Sequence, residues 1–434
     1  MSKRIGTSGR VLCAGLVVIV AGACAAQGEA GIRAGIAKVE ITPPIGGKMW
    51  GYAGRGVSTG VHDPLFARVL VLSSGETKAA IVSWDVCEFQ SPRLHQQVRE
   101  MGISHLLLSS THTHAGPDLY QDDFPSREKP WLKTVEERIL EAIREASGRM
   151  SPSYIAAGDG AIQLGYNRIR RERSGLGTTW FENPERIPLG PVDPAVGVIR
   201  IKDEHGAVRA VLVHYACHPV VLGPKNTIIS ADYPGVMSEI VEKTIGSGAS
   251  CLFIQGAGGD INPLFLARGL NSEENFAMVR KMGELLAKEV LETLDSMDKG
   301  SGKSEQLRAI AASMETPHRW EAGKKLELGV TSLLVNSEIG IVSIPGEPFH
   351  KHQKDLRARA ELPHAYLFGY TDNGFHDWPD YLPDIQSAAH AGYGASDTTS
   401  PAVGAGEQLV NLGLIQLYTL RGMFKEKPWR PPSR

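Results

Sequence analysis

Short apolar, β-rich runs recurring between helix-periodic stretches constrain this chain more than any other feature. Ala79 to Trp84, Gly197 to Ile201, Val208 to Tyr215, Cys251 to Ile254 and Ile339 to Ile344 read as strands. Apolar residues three and four apart predict helices over 134–149, 275–297 and 406–420. Leu140 and Ile143 on the first, and Met282, Leu285, Leu286 and Val290 on the second, are the expected core positions. Strands alternating with helices predict an α/β fold. No internal repeat, low-complexity block or linker divides the chain.

The ends look different. Lys3, Arg4 and Arg10 precede an apolar stretch from Val11 to Ala23 and the small residues Ala23-Cys24-Ala25-Ala26, the layout of a secretory signal peptide over 1–25. An exported, periplasmic or extracellular protein is expected, and processing at Cys24 would instead give a lipid anchor. The stretch falls short of the roughly 18 apolar residues a membrane span needs, and no later run reaches that length. Residues 425–434, with Pro428, Pro431 and Pro432, are expected to form a disordered tail, leaving one domain over 30–424.

Removing the leader takes away three positive charges and no negative one, moving the formal charge from −2 to −5. That balance carries no basic footprint for nucleic acid. Of five cysteines, only Cys87, Cys217 and Cys251 lie beyond the leader. Three cysteines in so long a chain allow at most one bridge, so the fold must rest on a hydrophobic core.

Chemistry-bearing residues gather just past the predicted strands. Thr111-His112-Thr113-His114-Ala115-Gly116-Pro117 follows the apolar run Leu106 to Leu108. In extended backbone, residues i and i+2 face one side, so His112 and His114 can share a cavity, and imidazole is the commonest side-chain ligand for zinc. His218-Pro219 follows the run ending at Ala216, and Glu347 follows Ile344-Pro345-Gly346. Cys217 is expected to face away from His218, and His214 to be a hydrogen-bonded core histidine. Ligands of open α/β sheets collect at such strand ends. The segment Gln255 to Pro263 adds glycines for close backbone approach, with Asp260 and Asn262 to orient groups or bind a cation. It lacks the Lys-Ser/Thr of a P-loop.

Together these segments resemble the neutral, non-lysosomal ceramidase family, whose N-terminal catalytic domain is a zinc-dependent amidase. The resemblance runs from Ala37-Lys38-Val39-Glu40-Ile41-Thr42-Pro43-Pro44 through His62-Asp63-Pro64-Leu65, Thr111 to Pro117, Asn167-Arg168, His218-Pro219, Gly259-Asp260 and Pro345-Gly346-Glu347 to Tyr381-Leu382-Pro383. It covers about residues 33 to 420 and implies mixed β-sheets with flanking helices. It further implies zinc held by His112, His218, Glu347 and Tyr381, with Tyr370 or Tyr393 as alternatives because 375–380 is longer than the family's equivalent. His114 and Arg168 would contact substrate.

Two departures matter. The family's Gly-Asp-x-Ser-Pro turn reads Gly259-Asp260-Ile261-Asn262-Pro263, which excludes a serine acyl-enzyme there. The chain also stops about where the family's C-terminal immunoglobulin-like domain would begin, which puts ceramide in doubt as the substrate. Zinc lowers the pKa of water from about 16 to near 7 and polarises carbonyls, so water can attack an amide without a protein nucleophile. The expected activity is amide hydrolysis of a lipid or small N-acyl substrate. His114 would move a proton or orient the substrate, Arg168 would hold a polar or anionic group, and Asn262 would donate to the oxyanion. The alternatives are an esterase or amidase on a small polar or glycan-derived N-acyl compound, and a non-catalytic zinc-containing binding protein.

Overall fold

Why these strands read as unbroken apolar runs follows from their burial on both faces. A computed structural model describes residues 31–119, 130–246, 248–267, 272–297, 306–375 and 377–424. The expected leader and tail lie outside them. In the strand Phe66–Ser74, Val69 and Val71 pack into one core while Leu70 and Leu72 pack into another. Val82 and Ile81 of the strand Thr77–Trp84 part in the same way. One core is closed by helices, including Leu140, Ile143, Met282, Leu286 and Val290 as expected. The other joins this sheet to a second sheet through Leu333, Ile341, Tyr366 and Phe368.

The chain order repeats three times, although no repeat is visible in the sequence. The first unit comprises β1 (Arg33–Glu40), β2 (Phe66–Ser74), β3 (Thr77–Trp84), α1 (Pro92–Glu100), β4 (His105–Ser110) and α2 (Pro130–Gly148). The second comprises β5 (Ser151–Ala161), β6 (Ala195–Asp203), β7 (Val208–Tyr215), α3 (Asp232–Ile245), β8 (Ser250–Gln255) and α4 (Ser272–Ser296). The third comprises β9 (Leu307–Pro317), β10 (Lys325–Val335), β11 (Ile339–Ser343), α5 (His350–Arg359), β12 (His364–Phe368) and α6 (Ala405–Leu420). Each unit has two antiparallel pairings and then a parallel one, across a helical crossover. Lengths, turns and side chains differ among the units, so only the connectivity recurs.

Pairing of Arg33 with Pro152 and Ala34 with Ser151 joins the first two units into a nine-stranded mixed sheet, while the third forms its own four-stranded sheet. The nine-stranded sheet folds back, and Ser83 Oγ donates to the Phe253 carbonyl at 2.6 Å. Backbone bonds tie the third unit to both others: Ser110 N–H donates to the Tyr370 carbonyl, and Gly369 N–H to that of Gln255, each at 3.0 Å. The ends of all three parallel pairs therefore meet in one place.

Candidate active site

His112 stands two residues past the end of β4, and Tyr370 two past the end of β12. Both have left-handed backbone, with φ of 67° and 52°. Non-glycine residues enter that region at some cost, and such strain concentrates at functional sites. The His112 turn replaces the extended conformation expected from the sequence. His112 and His114 still meet, rings 83° apart, with 3.0 Å between their Nε2 atoms, but only His114 lines the cavity.

His218 stands three residues past β7. Its Nδ1 donates to the Gly258 carbonyl at 2.7 Å, and His112 Nδ1 donates to that of Cys87 at 2.8 Å. With Nδ1 carrying the hydrogen, each ring turns its Nε2 lone pair inward, as an orienting carbonyl does for a metal-bound histidine. Both lone pairs meet one carboxylate oxygen: Glu347 Oε2 lies 2.9 Å from His218 Nε2 and 3.4 Å from His112 Nε2. Tyr370 donates its hydroxyl to the same oxygen at 3.3 Å. The two histidines are 1% exposed and Glu347 7%.

A dry site of this kind repels itself unless a cation or proton lies between the groups. Burial works against the Glu347 charge, but a proton on His112, with a hydrogen bond from His218, holds the carboxyl well below its usual range and the His112 imidazole well above its own, the charge balance that a bound cation would supply instead. Burial, then Arg168, pushes His218 down to about 4. Burial also keeps His114 well below the ordinary histidine range, aided by the two neighbouring imidazoles. Ligand atoms about 2.1 Å from a tetrahedral zinc lie roughly 3.4 Å apart, and the 2.9 and 3.4 Å separations of the two Nε2 atoms from Glu347 Oε2 lie near that spacing. The residues present therefore fit a divalent ion. Among the described residues, two groups have that potential: His112 with His218 and Glu347, and Cys87 with His112 and His114.

Beside them lies a cavity of about 840 Å³, lined by His114, His218, Arg168, Asn262, Tyr381 and Tyr393 among others. Phe181, Leu222, Leu266 and Phe276 give it apolar walls. Glu347 and Tyr381 are directly paired across a short parallel ladder. Tyr381 lies alongside His218, and the guanidinium of Arg168 sits 5.3 Å from the centre of its ring. Of the three tyrosines raised from the sequence, Tyr370 meets Glu347 behind the cavity, while Tyr381 and Tyr393 line it.

Arg168 is 4% exposed and donates to Asn262 Oδ1 at 3.2 Å and to the Gly259 carbonyl at 2.7 Å. Asn262 sits where Ile261–Pro263 pairs with Gly165–Asn167, and Arg168, next along the chain, is held by its N–H donating to the Asp260 carbonyl at 2.9 Å. Asp260 lies one layer back. Its carboxylate accepts from Asn167 Nδ2 at 2.8 Å and His350 Nδ1 at 2.6 Å. Burial opposes its ionisation, but His350 holds its pKa below the usual value.

His214 is the expected core histidine, donating from Nε2 to the Leu367 carbonyl at 2.8 Å. Cys217 belongs to neither potential metal group. The reading of the strand ends missed Cys87, whose thiol lies 3.5 Å from His112 Nδ1. It also missed His350. The only signal for Cys87 was its place just past a strand, a position that His218 shares.

Residues 32–277 match the family described as neutral/alkaline non-lysosomal ceramidase, N-terminal. Neutral ceramidase B of Dictyostelium discoideum is 28% identical over 233 residues, 48% of this chain and 32% of that protein. Neutral ceramidase A of the same organism is 28% identical over 243 residues, 50% of this chain and 33% of that protein. The matched stretch thus spans about a third of these relatives' length. The crystal structure of neutral ceramidase from Pseudomonas aeruginosa superposes with a TM-score of 0.71 at 17% identity, covering 93% of this chain and 76% of that one. A ceramidase complexed with C2 gives 0.71 at 16%, covering 93% and 77%. At such identities the likeness is one of fold.

Proposed function

The chain belongs to the neutral/alkaline non-lysosomal ceramidase family, and from that premise we propose that it is an exported, zinc-dependent hydrolase cleaving an amide bond of an N-acyl substrate. One observation carries the reading: two buried imidazoles, each oriented by a carbonyl at Nδ1, aim their Nε2 lone pairs at a single buried carboxylate oxygen. His112, His218 and Glu347 hold the ion, and Tyr381, in register with Glu347, is placed to complete the set on the cavity side. Tyr370 steadies the Glu347 carboxylate from behind. Zinc bound there supplies Lewis acidity toward a carbonyl and lowers the pKa of water to near 7.

The chain's own groups do the rest. Asn262 turns its carbonyl oxygen to Arg168 and its NH2 end toward the Tyr166 hydroxyl, which leaves one N–H to donate to a developing oxyanion, a role worth about 3 kcal/mol where donors are well placed. His114, kept neutral, has a buried Nδ1 without a partner and is suited to move a proton toward the leaving amine. Arg168 binds a polar or anionic substrate group against Tyr381 and Tyr393. Asp260 fixes Asn167 and His350, so its part is positioning. Apolar walls beside these groups suit an acyl chain, and among the described residues no helix is long and apolar enough to cross a membrane.

Metal quantification of the purified protein, coupled to a panel of N-acyl amides and esters, tests this directly. One zinc per chain with release of a fatty or short-chain acid from amides is the expected result. Zinc without turnover would leave the non-catalytic binding protein, and turnover confined to esters would leave the esterase.

A further inference from the structure

Cys87 occupies the turn that delivers metal ligands in the other two repeat units. It stands three residues past the end of β3, as His218 stands three past β7 and Glu347 four past β11. All three are third strands of their units. The thiol is 2% exposed and faces the Nδ1 side of His112, away from the Nε2 that meets Glu347. One ligand atom from each of Cys87, His112 and His114 lies within 4.8 Å of the others. Ligands on one zinc ion with a thiolate at about 2.3 Å and nitrogens at about 2.0 Å sit roughly 3.3–3.5 Å apart, so side-chain shifts of about 1 Å would close the set.

We infer that Cys87, His112 and His114 form a second, sulfur-containing metal position beside the His112, His218 and Glu347 position, and that the two compete for His112. This rests on the metal reading of the first position. The sulfur site favours thiophilic ions such as Cd²⁺, whereas the carboxylate site accepts harder ones. Binding releases the Cys87 proton, since a coordinating thiol is deprotonated outright. A thiophilic ion seated there takes His112 at Nδ1, whose hydrogen leaves the Cys87 carbonyl and moves to Nε2, removing the lone pair that the first position uses, so the ion inhibits without replacing zinc in kind.

The test is Cd²⁺ titration of the metal-free full chain, read by thiolate-to-cadmium charge-transfer absorbance and by zinc competition, for the parent, Cys87→Ser and Cys87→Ala. The parent is expected to show the band at one Cd²⁺ per chain with proton release. Both variants should lose the band and bind Cd²⁺ at least roughly 10-fold more weakly, the smallest effect typical of losing even an outer partner, while zinc affinity holds. A parent without the band, or a band that survives in Cys87→Ala, overturns the second position. If zinc still binds the parent, the first reading survives that result. If neither metal binds, both readings fail together.

Discussion

Glu347 Oε2 lies 2.9 Å from His218 Nε2, while the Nδ1 of the same ring is held by the Gly258 carbonyl at 2.7 Å. With its pKa pushed down to about 4, the ring is neutral near pH 7, and a neutral imidazole cannot turn a hydrogen toward the carboxylate without giving up that bond. Glu347→Gln removes the charge that balances the ion and keeps the volume. Zinc affinity should fall by more than roughly 100-fold, beyond what loss of an outer partner causes. Circular dichroism should stay unchanged, because the strand ladder around position 347 is backbone. Full zinc content in this variant would remove Glu347 from the ligand set.

Asn262 and Arg168 form one unit, linked at 3.2 Å and both buried. Asn262→Ala should lower kcat by roughly 10²–10³ if its amide donates to the oxyanion. Arg168→Ala should raise KM for substrates with a polar or anionic group far more than for those without one. Because the pair is in contact, the double variant should lose less than the sum of the singles. Strict additivity across the cycle would show that the two act separately.

Much of this architecture is legible in the sequence where burial is two-sided. Val208 to Tyr215 reads as a strand because both faces are covered, and the structure begins and ends that strand at the same residues. His218 and Glu347 stand out because each follows such a run. The left-handed turn at His112 is invisible, since histidine carries no mark of positive φ as glycine does. The nearness of Tyr370 and Tyr381 to Glu347 depends on non-local pairing that no local pattern encodes. The threefold order is hidden because unlike sequences satisfy the same connectivity. Cys87 reads as one more buried small residue until its unit is laid beside the others.

Gly51 backs His114. It has φ of 99°, and a Cβ there would lie 2.5 Å from His114 Nδ1. Its loop is clamped by Arg55, which donates to the carbonyls of Trp50, His114 and Asn226. Gly51→Ala therefore strains the backbone by about 1–2 kcal/mol and displaces the His114 ring. A shift of about 1 Å can lower a rate roughly 100-fold, so kcat should fall by that order. Zinc content should hold, because His112, His218 and Glu347 do not depend on this loop. Equal loss of zinc and of activity would place His114 among the ligands of the first position.

His214 links the core to pH. Burial pushes its pKa down to about 4, whereas an unfolded histidine titrates near 6.5. As pH falls, the unfolded chain takes up the proton first and is favoured. The stability that the neutral His214 contributes is complete above about pH 6.5, declines between 6.5 and 4, and is gone below. At about 1.4 kcal/mol per pH unit, the decline amounts to roughly 3 kcal/mol. His214→Gln keeps an N–H for the Leu367 carbonyl and removes the titration. Chelator-treated parent and variant should therefore differ most in denaturation midpoint at neutral pH and converge toward pH 4, because His218 and the other acid-sensitive groups are common to both. Midpoints that fall in parallel across that range would rule out His214 as a source of the acid sensitivity.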